Sequence, residues 1–119
     1  MKIGKRSDSL SLATSFDGAA MGIEFVNGYS ICASWTDTGS LAGSFKLQAS
    51  NNPFTDNVNM TANPSAVWVD ITGSAVAVSG AGSQFWNTSD ANYSAYRLVW
   101  TRSAGDGTLT AHHLIKGDQ

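Results

Sequence analysis

The sequence predicts an all-β protein, a jelly-roll-like antiparallel β-sandwich of seven to eight strands. Apolar and polar residues alternate with a period of two along most of the chain, as in strands that bury one face. Apolar residues spaced three and four apart, as in an amphipathic helix, are nearly absent. Ser, Asn and Gly separate the alternating runs at short intervals, and such spacing is typical of sandwiches and barrels.

The first strand is predicted to begin at Leu10, because Leu10, Leu12 and Phe16 share one parity. The preceding segment is short and contains a small basic cluster, which is typical of a solvated tail. We therefore expect residues 1–9 to form an N-terminal arm and residues 10–119 to form a single β-sandwich domain.

A hairpin is predicted around Asn27-Gly28, which lies between two alternating apolar runs. A two-residue loop would mix serine with large apolar side chains on both faces. A three-residue loop instead aligns Phe25 with Tyr29 and Ile23 with Ile31. Because the buried face sets strand register, we expect the three-residue loop, with its glycine in the left-handed conformation.

Five further alternating runs predict strands near residues 45–49, 67–71, 76–78, 96–100 and 108–115. Residues 51–64 contain both prolines and show no clear alternation, so a long loop is expected there. The apolar members of the alternating runs give the predicted core: Phe25, Ile31, Trp35, Phe45, Leu47, Val69, Ile71, Leu98 and Trp100.

Composition narrows the classes of partner. The chain has 119 residues, of which 13% are charged, and a net charge of −2. It therefore lacks the strongly basic character expected of a nucleic-acid-binding surface. No run approaches the about 18 apolar residues of a membrane span, and no apolar signal segment opens the chain. One cysteine, Cys32, excludes an internal disulfide, and its apolar surroundings predict a small buried hydrophobe.

Patterns that carry catalysis or bind metal are weak. His112 and His113 are adjacent in a predicted strand, so their side chains point to opposite faces and do not ligate one metal together. The chain contains neither a Gly-x-Ser-x-Gly elbow nor a phosphate loop. Aspartates in or near turns usually hydrogen-bond their own backbone, which is the favoured interpretation here: Asp56, Asp70, Asp90 and Asp106. We expect no enzyme activity, cofactor or metal site.

Four aromatic residues are candidates for contact with a partner or a glycan: Trp68, Phe85, Trp86 and Tyr93. Trp68 has the opposite parity from the valines beside it, which predicts an outer face. The other three crowd a polar run that reads as a loop, where the fold offers no obvious core position for all of them. Exposed aromatic patches usually mark a partner surface, and a flat platform for a sugar ring is the alternative.

Seven pieces occur in a characteristic order, and the resemblance that they carry covers roughly residues 28–117: Phe45-Lys-Leu-Gln-Ala-Ser-Asn-Asn, Trp68-Val-Asp-Ile, Ser79-Gly-Ala-Gly-Ser, Phe85-Trp86-Asn, Asp90-Ala-Asn-Tyr, Tyr96-Arg-Leu-Val-Trp100-Thr and Gly105-Asp-Gly-Thr-Leu-Thr. This order resembles small structural proteins of bacteriophage virions. It is also similar to the discoidin-type, galactose-binding-like jelly roll. The terminal cysteine pair of secreted discoidin domains is missing, which argues against their calcium-dependent or lipid-binding roles.

The resemblance implies a non-enzymatic phage virion structural protein, with capsid decoration or cement as the favoured position. The alternative is a carbohydrate-binding module for host attachment in a tail or fibre. The implied partners are other virion proteins of the capsid or tail. Further copies of the chain are also implied, and a trimer is expected by analogy. Under the alternative function, the partner is a surface glycan. The implied location is the virion, assembled in the host cytoplasm.

Overall fold

A computed structural model describes residues 2–23, 28–56, 61–89 and 91–117, and it confirms the all-β sandwich. Every strand pair found there is antiparallel. Across these ranges, no helix is long and apolar enough to cross a membrane. The strands in the described ranges are β1 Lys2–Ser11, β2 Phe16–Asp17, β3 Met21–Gly22, β4 Gly28–Trp35, β5 Ala42–Ser50, β6 Phe54–Asp56, β7 Thr61–Ala62, β8 Val69–Asp70, β9 Val76–Ser79, β10 Gly82–Thr88, β11 Ala95–Ala104 and β12 Thr108–Gly117.

Two sheets form the sandwich. The four-stranded sheet has the order β1-β12-β4-β10. The six-stranded sheet has the order β2-β11-β5-β8, with β3 added to β11 and β9 added to β5. A small ribbon of β6 and β7 lies within the segment predicted to be a long loop. The strand number exceeds the predicted seven to eight because β10, predicted to be a loop, is a strand, and because several short strands of two residues are added.

Large side chains from the inner faces of both sheets fill the space between them. Trp100, Tyr96 and Phe45 are the largest of the fully buried side chains. Of the predicted core residues, the structure confirms these as buried: Ile31, Trp35, Phe45, Leu47, Leu98 and Trp100. Ile71 packs against this core while remaining partly exposed. Phe25 lies outside the described residues.

Val69 is the one predicted core residue that the structure contradicts, since its side chain is 61% exposed. Its strand, β8, has only two residues and lies at the edge of the six-stranded sheet. Val69 pairs with Ala49, which is itself only half-buried near the end of β5. The alternation therefore marks a strand correctly, but the interior does not extend to this edge.

The predicted hairpin around Gly28 is wrong. Strand β4 lies between β12 and β10, so that Ile31 pairs with His113 on one side and with Trp86 on the other. The backbone N–H of Ile23 donates to Ser94, next to the six-stranded sheet, so the chain changes sheets before β4. Gly28 begins β4 and does not adopt a left-handed conformation. The two sheets enclose one core. The apolar runs before and after Gly28 can therefore both bury side chains in it without forming a hydrogen-bonded pair of strands.

The residues predicted as an N-terminal arm are part of the sandwich. Strand β1 begins at Lys2, and it pairs with β12 along its whole length, from Lys2 opposite Gly117 to Ser11 opposite Thr108. The prediction that the first strand begins at Leu10 is therefore wrong. The apolar pattern missed β1 because this edge strand carries charged and serine side chains where a central strand carries apolar ones.

Candidate functional site

Trp86 is a core residue, and the prediction that it is available for a partner contact is wrong. Its side chain is 7% exposed, and the ring meets Phe45 edge-on at a centroid distance of 6.4 Å. The indole Nε1–H donates to the carbonyl of Ser74 at 2.9 Å. The polar run around it is strand β10 and not a loop, and strand alternation turns Trp86 inward.

Phe85, the residue before Trp86, points to the outer face of the four-stranded sheet and is 59% exposed. It lies opposite Cys32 on β4, and Cys32 lies opposite His112 on β12. Cys32 is exposed, so the prediction of a buried thiol is wrong. With Leu114 these residues line a depression of about 390 Å³. We call Cys32, Phe85, His112 and Leu114 the Phe85 patch.

The border of the Phe85 patch on the side of β1 is polar. Ser7 lies opposite His112, with 2.7 Å between its hydroxyl oxygen and the ring Nδ1. Lys5 lies opposite Leu114 and also lines the depression. An apolar centre bordered by polar groups is the usual composition of a protein-contact surface.

Tyr93 lies elsewhere, at one end of the sandwich. Its hydroxyl oxygen is 2.6 Å from that of Tyr29, whose ring stacks on Tyr96 at a centroid distance of 3.9 Å. Burial raises the pKa of both Tyr29 and Tyr96 above its usual value. The Tyr96 hydroxyl is in turn 2.8 Å from the Nδ1 atom of His113. Tyr93 is therefore the half-buried outer member of an aromatic row that is joined by hydrogen bonds and by ring stacking.

A second exposed apolar surface adjoins Tyr93. Val67 and Val69 are 62% and 61% exposed, and with Ala49 and Tyr93 they line a depression of about 370 Å³. We call Ala49, Val67, Val69 and Tyr93 the Val67 patch. Ser50 and three asparagines complete the lining: Asn51, Asn52 and Asn92.

Two of those asparagines also hold the local backbone in place. The Oδ1 atom of Asn52 accepts from the N–H of Val67 at 3.0 Å, and the Oδ1 atom of Asn51 accepts from Ser94 at 3.1 Å. These hydrogen bonds fix the backbone next to the exposed valines. An apolar surface on a fixed backbone loses less conformational entropy on binding than one on a flexible backbone.

Trp68 makes its main contact within the chain. The guanidinium carbon of Arg97 lies 4.3 Å from the centre of the Trp68 ring, and Arg97 donates twice to Gln48, at 2.9 and 2.7 Å. The indole is half-buried on the outer face of the six-stranded sheet. A role for its remaining surface in partner or glycan contact stays a prediction.

The four predicted contact aromatics therefore do not form one cluster. Phe85 and Trp86 point to opposite faces of one strand, and Tyr93 and Trp68 lie in other surroundings. The exposure of Cys32 was not predicted, although Cys32 shares its parity on β4 with Ser30 and Ser34, which indicates a polar face. The exposure of Val67 and Val69 was also missed, because their alternation resembles that of a core strand.

Groups suited to metal binding are not gathered in the described part of the chain. Within residues 2–23, 28–56, 61–89 and 91–117, no three His, Cys, Asp or Glu side chains are placed to hold a metal ion. In the same ranges every fully buried side-chain nitrogen or oxygen has a hydrogen-bond partner.

The fold is similar to those of solved proteins. SPBc2 prophage-derived protein YomS superposes with a TM-score of 0.52 at 11% identity, over 96% of each chain. A pilus structure from Bacillus endospore appendages gives 0.44 at 12% identity, over 98% of this chain and 89% of that one. A family 16 carbohydrate-binding module gives 0.42 at 11% identity, over 84% and 70%. No protein-family model matches the sequence, and no curated protein matches it significantly.

Proposed function

We propose that this protein is a non-enzymatic structural component of a phage virion, held in the assembly by two separate apolar surfaces. The observation that carries the proposal is that the Phe85 patch and the Val67 patch share no residue and belong to different sheets. A protein that links neighbours in a repeating lattice needs at least two such surfaces. One small sandwich with both can contact two neighbours at once.

The chemistry of the two patches supports contact with proteins. Exposed Phe and Val side chains gain free energy when a partner removes them from water, at about 25 cal/mol per Å² of apolar surface. Only 13% of the residues are charged, so little charge has to be desolvated when the chain packs against a neighbour. This balance suits a permanently assembled component better than a transient one.

The position within the virion is the finer part of the proposal. The ordered motifs resemble those of small virion proteins, and the fold matches a protein whose name records its origin in a prophage. Capsid decoration or cement is the favoured position, with a tail or fibre component as the other. Partners are other virion proteins and further copies of this chain, assembled in the host cytoplasm.

The test is to locate the chain in purified virions. Mass spectrometry should detect it at a copy number typical of a structural protein, and a cryo-EM reconstruction should place it. The variants Phe85→Asp and Val69→Asp should each reduce incorporation, because each puts a charge into one apolar patch. Ser34→Asp, on an exposed polar position, is the matched control and should incorporate normally. Virions that lack the polypeptide altogether would contradict the proposal.

A glycan-binding role is the second candidate, and one observation favours it. The depression at the Val67 patch combines the ring of Tyr93 with asparagine side chains, of which Asn92 is exposed. Apolar sugar faces pack on aromatic rings, and amides hydrogen-bond sugar hydroxyls. A glycan array should then show binding that Asn92→Ala and Val69→Asp weaken and Ser34→Asp does not. A blank array together with no binding to host cells would exclude this role.

A further inference from the structure

Strand β10 is an open edge of the four-stranded sheet. Within the described ranges it pairs with β4 on one side, and no strand pairs with its other side. Its sequence from Gly82 to Thr88 contains no charged residue and no proline. An edge strand presents a row of backbone N–H and C=O groups, and without charge or proline nothing in it opposes pairing with another strand.

The opposite edge of the same sheet is built differently. Strand β1 carries Lys5, Arg6 and Asp8 at its centre. Arg6 and Asp8 form an ion pair at 3.0 Å, and Asp8 also lies 3.4 Å from the ring of His113, whose side chain is buried. Inward-pointing charges on an edge strand are a common protection against pairing with another chain. Of the two edges, β10 is the one that lacks it.

We propose that β10 pairs antiparallel with β10 of a second copy of this chain. A two-fold axis at Phe85 would join the two four-stranded sheets into one continuous sheet across the dimer. This inference does not rest on the proposed function, because it concerns the isolated protein. It leaves the Val67 patch free for a different neighbour.

The residues of β10 complement their own copy. In an antiparallel register centred on Phe85, the ring of Phe85 meets the same ring of the second copy on the outer face. Ser83 then lies opposite Asn87 of the second copy, and the two side chains can hydrogen-bond. No like charges meet, because the strand has none. Directly opposed aromatic residues stabilise antiparallel pairs, and the pairing covers a ring that is 59% exposed in the single chain.

Other occupants of this edge fit less well. Pairing of β10 with β1 of a second copy would bring the Arg6–Asp8 pair into the junction. It would also link subunits head to tail, so that the assembly either closes into a ring or grows without limit. Two-fold pairing of β10 closes after two copies.

Sedimentation of the purified full chain over a range of concentrations tests the dimer. The expected result is a monomer–dimer equilibrium. Ser83→Lys should weaken dimerisation by about tenfold or more, because a lysine on an edge strand opposes pairing with another strand. Ser34→Lys is the matched control, since Ser34 lies directly opposite Ser83 on the same face of the inner strand β4. It should leave the equilibrium unchanged, and circular dichroism should show both variants folded.

Cysteine cross-linking tests the register. In a Cys32→Ser background, one protein carries Ser83→Cys and another carries Asn87→Cys. The mixture should form a disulfide-linked dimer under mild oxidation, and each protein alone should form far less, because only residues 83 and 87 face each other. A Ser9→Cys protein reports on the β1 edge and should not cross-link.

Several results would overturn the inference. These are a chain that remains monomeric at its highest soluble concentration, a trimer, an equal effect of Ser34→Lys, or efficient cross-linking through residue 9. If the chain is monomeric but present in virions, the dimer is rejected and the proposed function stands. If the chain is dimeric but absent from virions, the dimer stands and the proposed function is rejected.

Discussion

The two halves of the core are stabilised by different chemistry. In the first half, which we call the tryptophan half, the rings of Trp35, Phe45, Trp86 and Trp100 pack together, with Phe45 at 4.9 Å from Trp35 and 4.6 Å from Trp100 between ring centres. Each indole N–H donates to a backbone carbonyl outside the strands or at a strand end. The acceptors are Gly80 at 3.0 Å, Ser74 at 2.9 Å and Leu12 at 3.1 Å.

The second half, the tyrosine half, consists of Tyr29, Tyr93, Tyr96 and His113. Here the polar atoms meet one another, in a row that passes from the Tyr96 hydroxyl to His113 and on to the Asp8 carboxylate. The buried His113 ring in this row can bind a proton, whereas an indole N–H stays protonated at every pH at which proteins are studied.

The buried polar atoms have different functions in the two halves. In the tryptophan half they tie connecting segments to the core, so aromatic burial also fixes the ends of strands and turns. In the tyrosine half they form a network whose stability depends on protonation. The first half should therefore determine how stable the fold is, and the second how that stability changes with pH.

The largest expected effect is a loss of stability when the tryptophan half is disrupted by Trp86→Ala. The substitution removes a buried ring and leaves the Ser74 carbonyl without its indole donor, and such large-to-small changes cost about 3–5 kcal/mol. Urea unfolding of the purified chain measures the change in free energy. Phe85→Ala is the matched control, because the neighbouring ring is mostly exposed, and it should cost less than about 1 kcal/mol at low protein concentration. Equal effects of the two substitutions would contradict the placement of Trp86 in the core.

A smaller loss of stability, which arises in the tyrosine half, is expected when the pH of the solution is lowered. Burial lowers the pKa of His113, and the nearby Asp8 carboxylate only partly opposes this shift. The unfolded chain therefore binds a proton at a higher pH than the folded protein. Stability should fall as the pH drops below about 6.5, the ordinary histidine value, and continue to fall until the lowered folded pKa is reached.

Melting temperatures measured from about pH 7.5 to 5.5 test this expectation. His113→Gln should remove most of the loss, because glutamine occupies a similar volume and does not titrate. His112→Gln changes the exposed neighbour and should retain the loss. If the two variants respond identically to acid, the pH dependence arises outside the tyrosine half.

The smallest expected effect concerns Trp68, an indole that lies outside both halves. A double-mutant cycle of Trp68→Leu and Arg97→Met should give a coupling free energy of about 0.5–1 kcal/mol, the value for a partly exposed cation–π contact. Chemical denaturation of the four proteins provides the measurement. A coupling near zero would mean that the stacked arrangement does not contribute to stability, and that Trp68 is freer to bind a partner.

Sequence reasoning identified most strands and core residues, because a period of two with one apolar face has few other interpretations. It failed on strand pairing: Ile23 and Ile31 are both buried in the shared core, but Ile31 belongs to the four-stranded sheet, whereas Ile23 directly follows β3 of the six-stranded sheet. It failed on β1 because this edge strand carries mostly exposed charged and serine side chains and therefore shows no apolar alternation. Local pattern does not encode which strand lies next to which.

The candidate surfaces were predicted less well than the core. Phe85 and Trp86 were expected to share one environment, although any strand separates adjacent residues to opposite faces. The error was to interpret the Asn- and Ser-rich run as a loop. Val67 and Val69 were missed because exposure near the end of a sheet depends on where the opposite sheet stops, which no local pattern records.

The pairing of β1 with β12 has a consequence for how the chain folds. Strand β12 lies between β1 and β4, so the four-stranded sheet remains split until the last strand inserts between partners from the first third of the sequence. Contacts between distant parts of a chain form slowly, which places such sandwiches in the range of about milliseconds to seconds. During that time the six-stranded sheet, whose strands all precede β12, can form first and leave its apolar face uncovered. Rapid dilution from denaturant at high protein concentration should therefore favour aggregation over refolding.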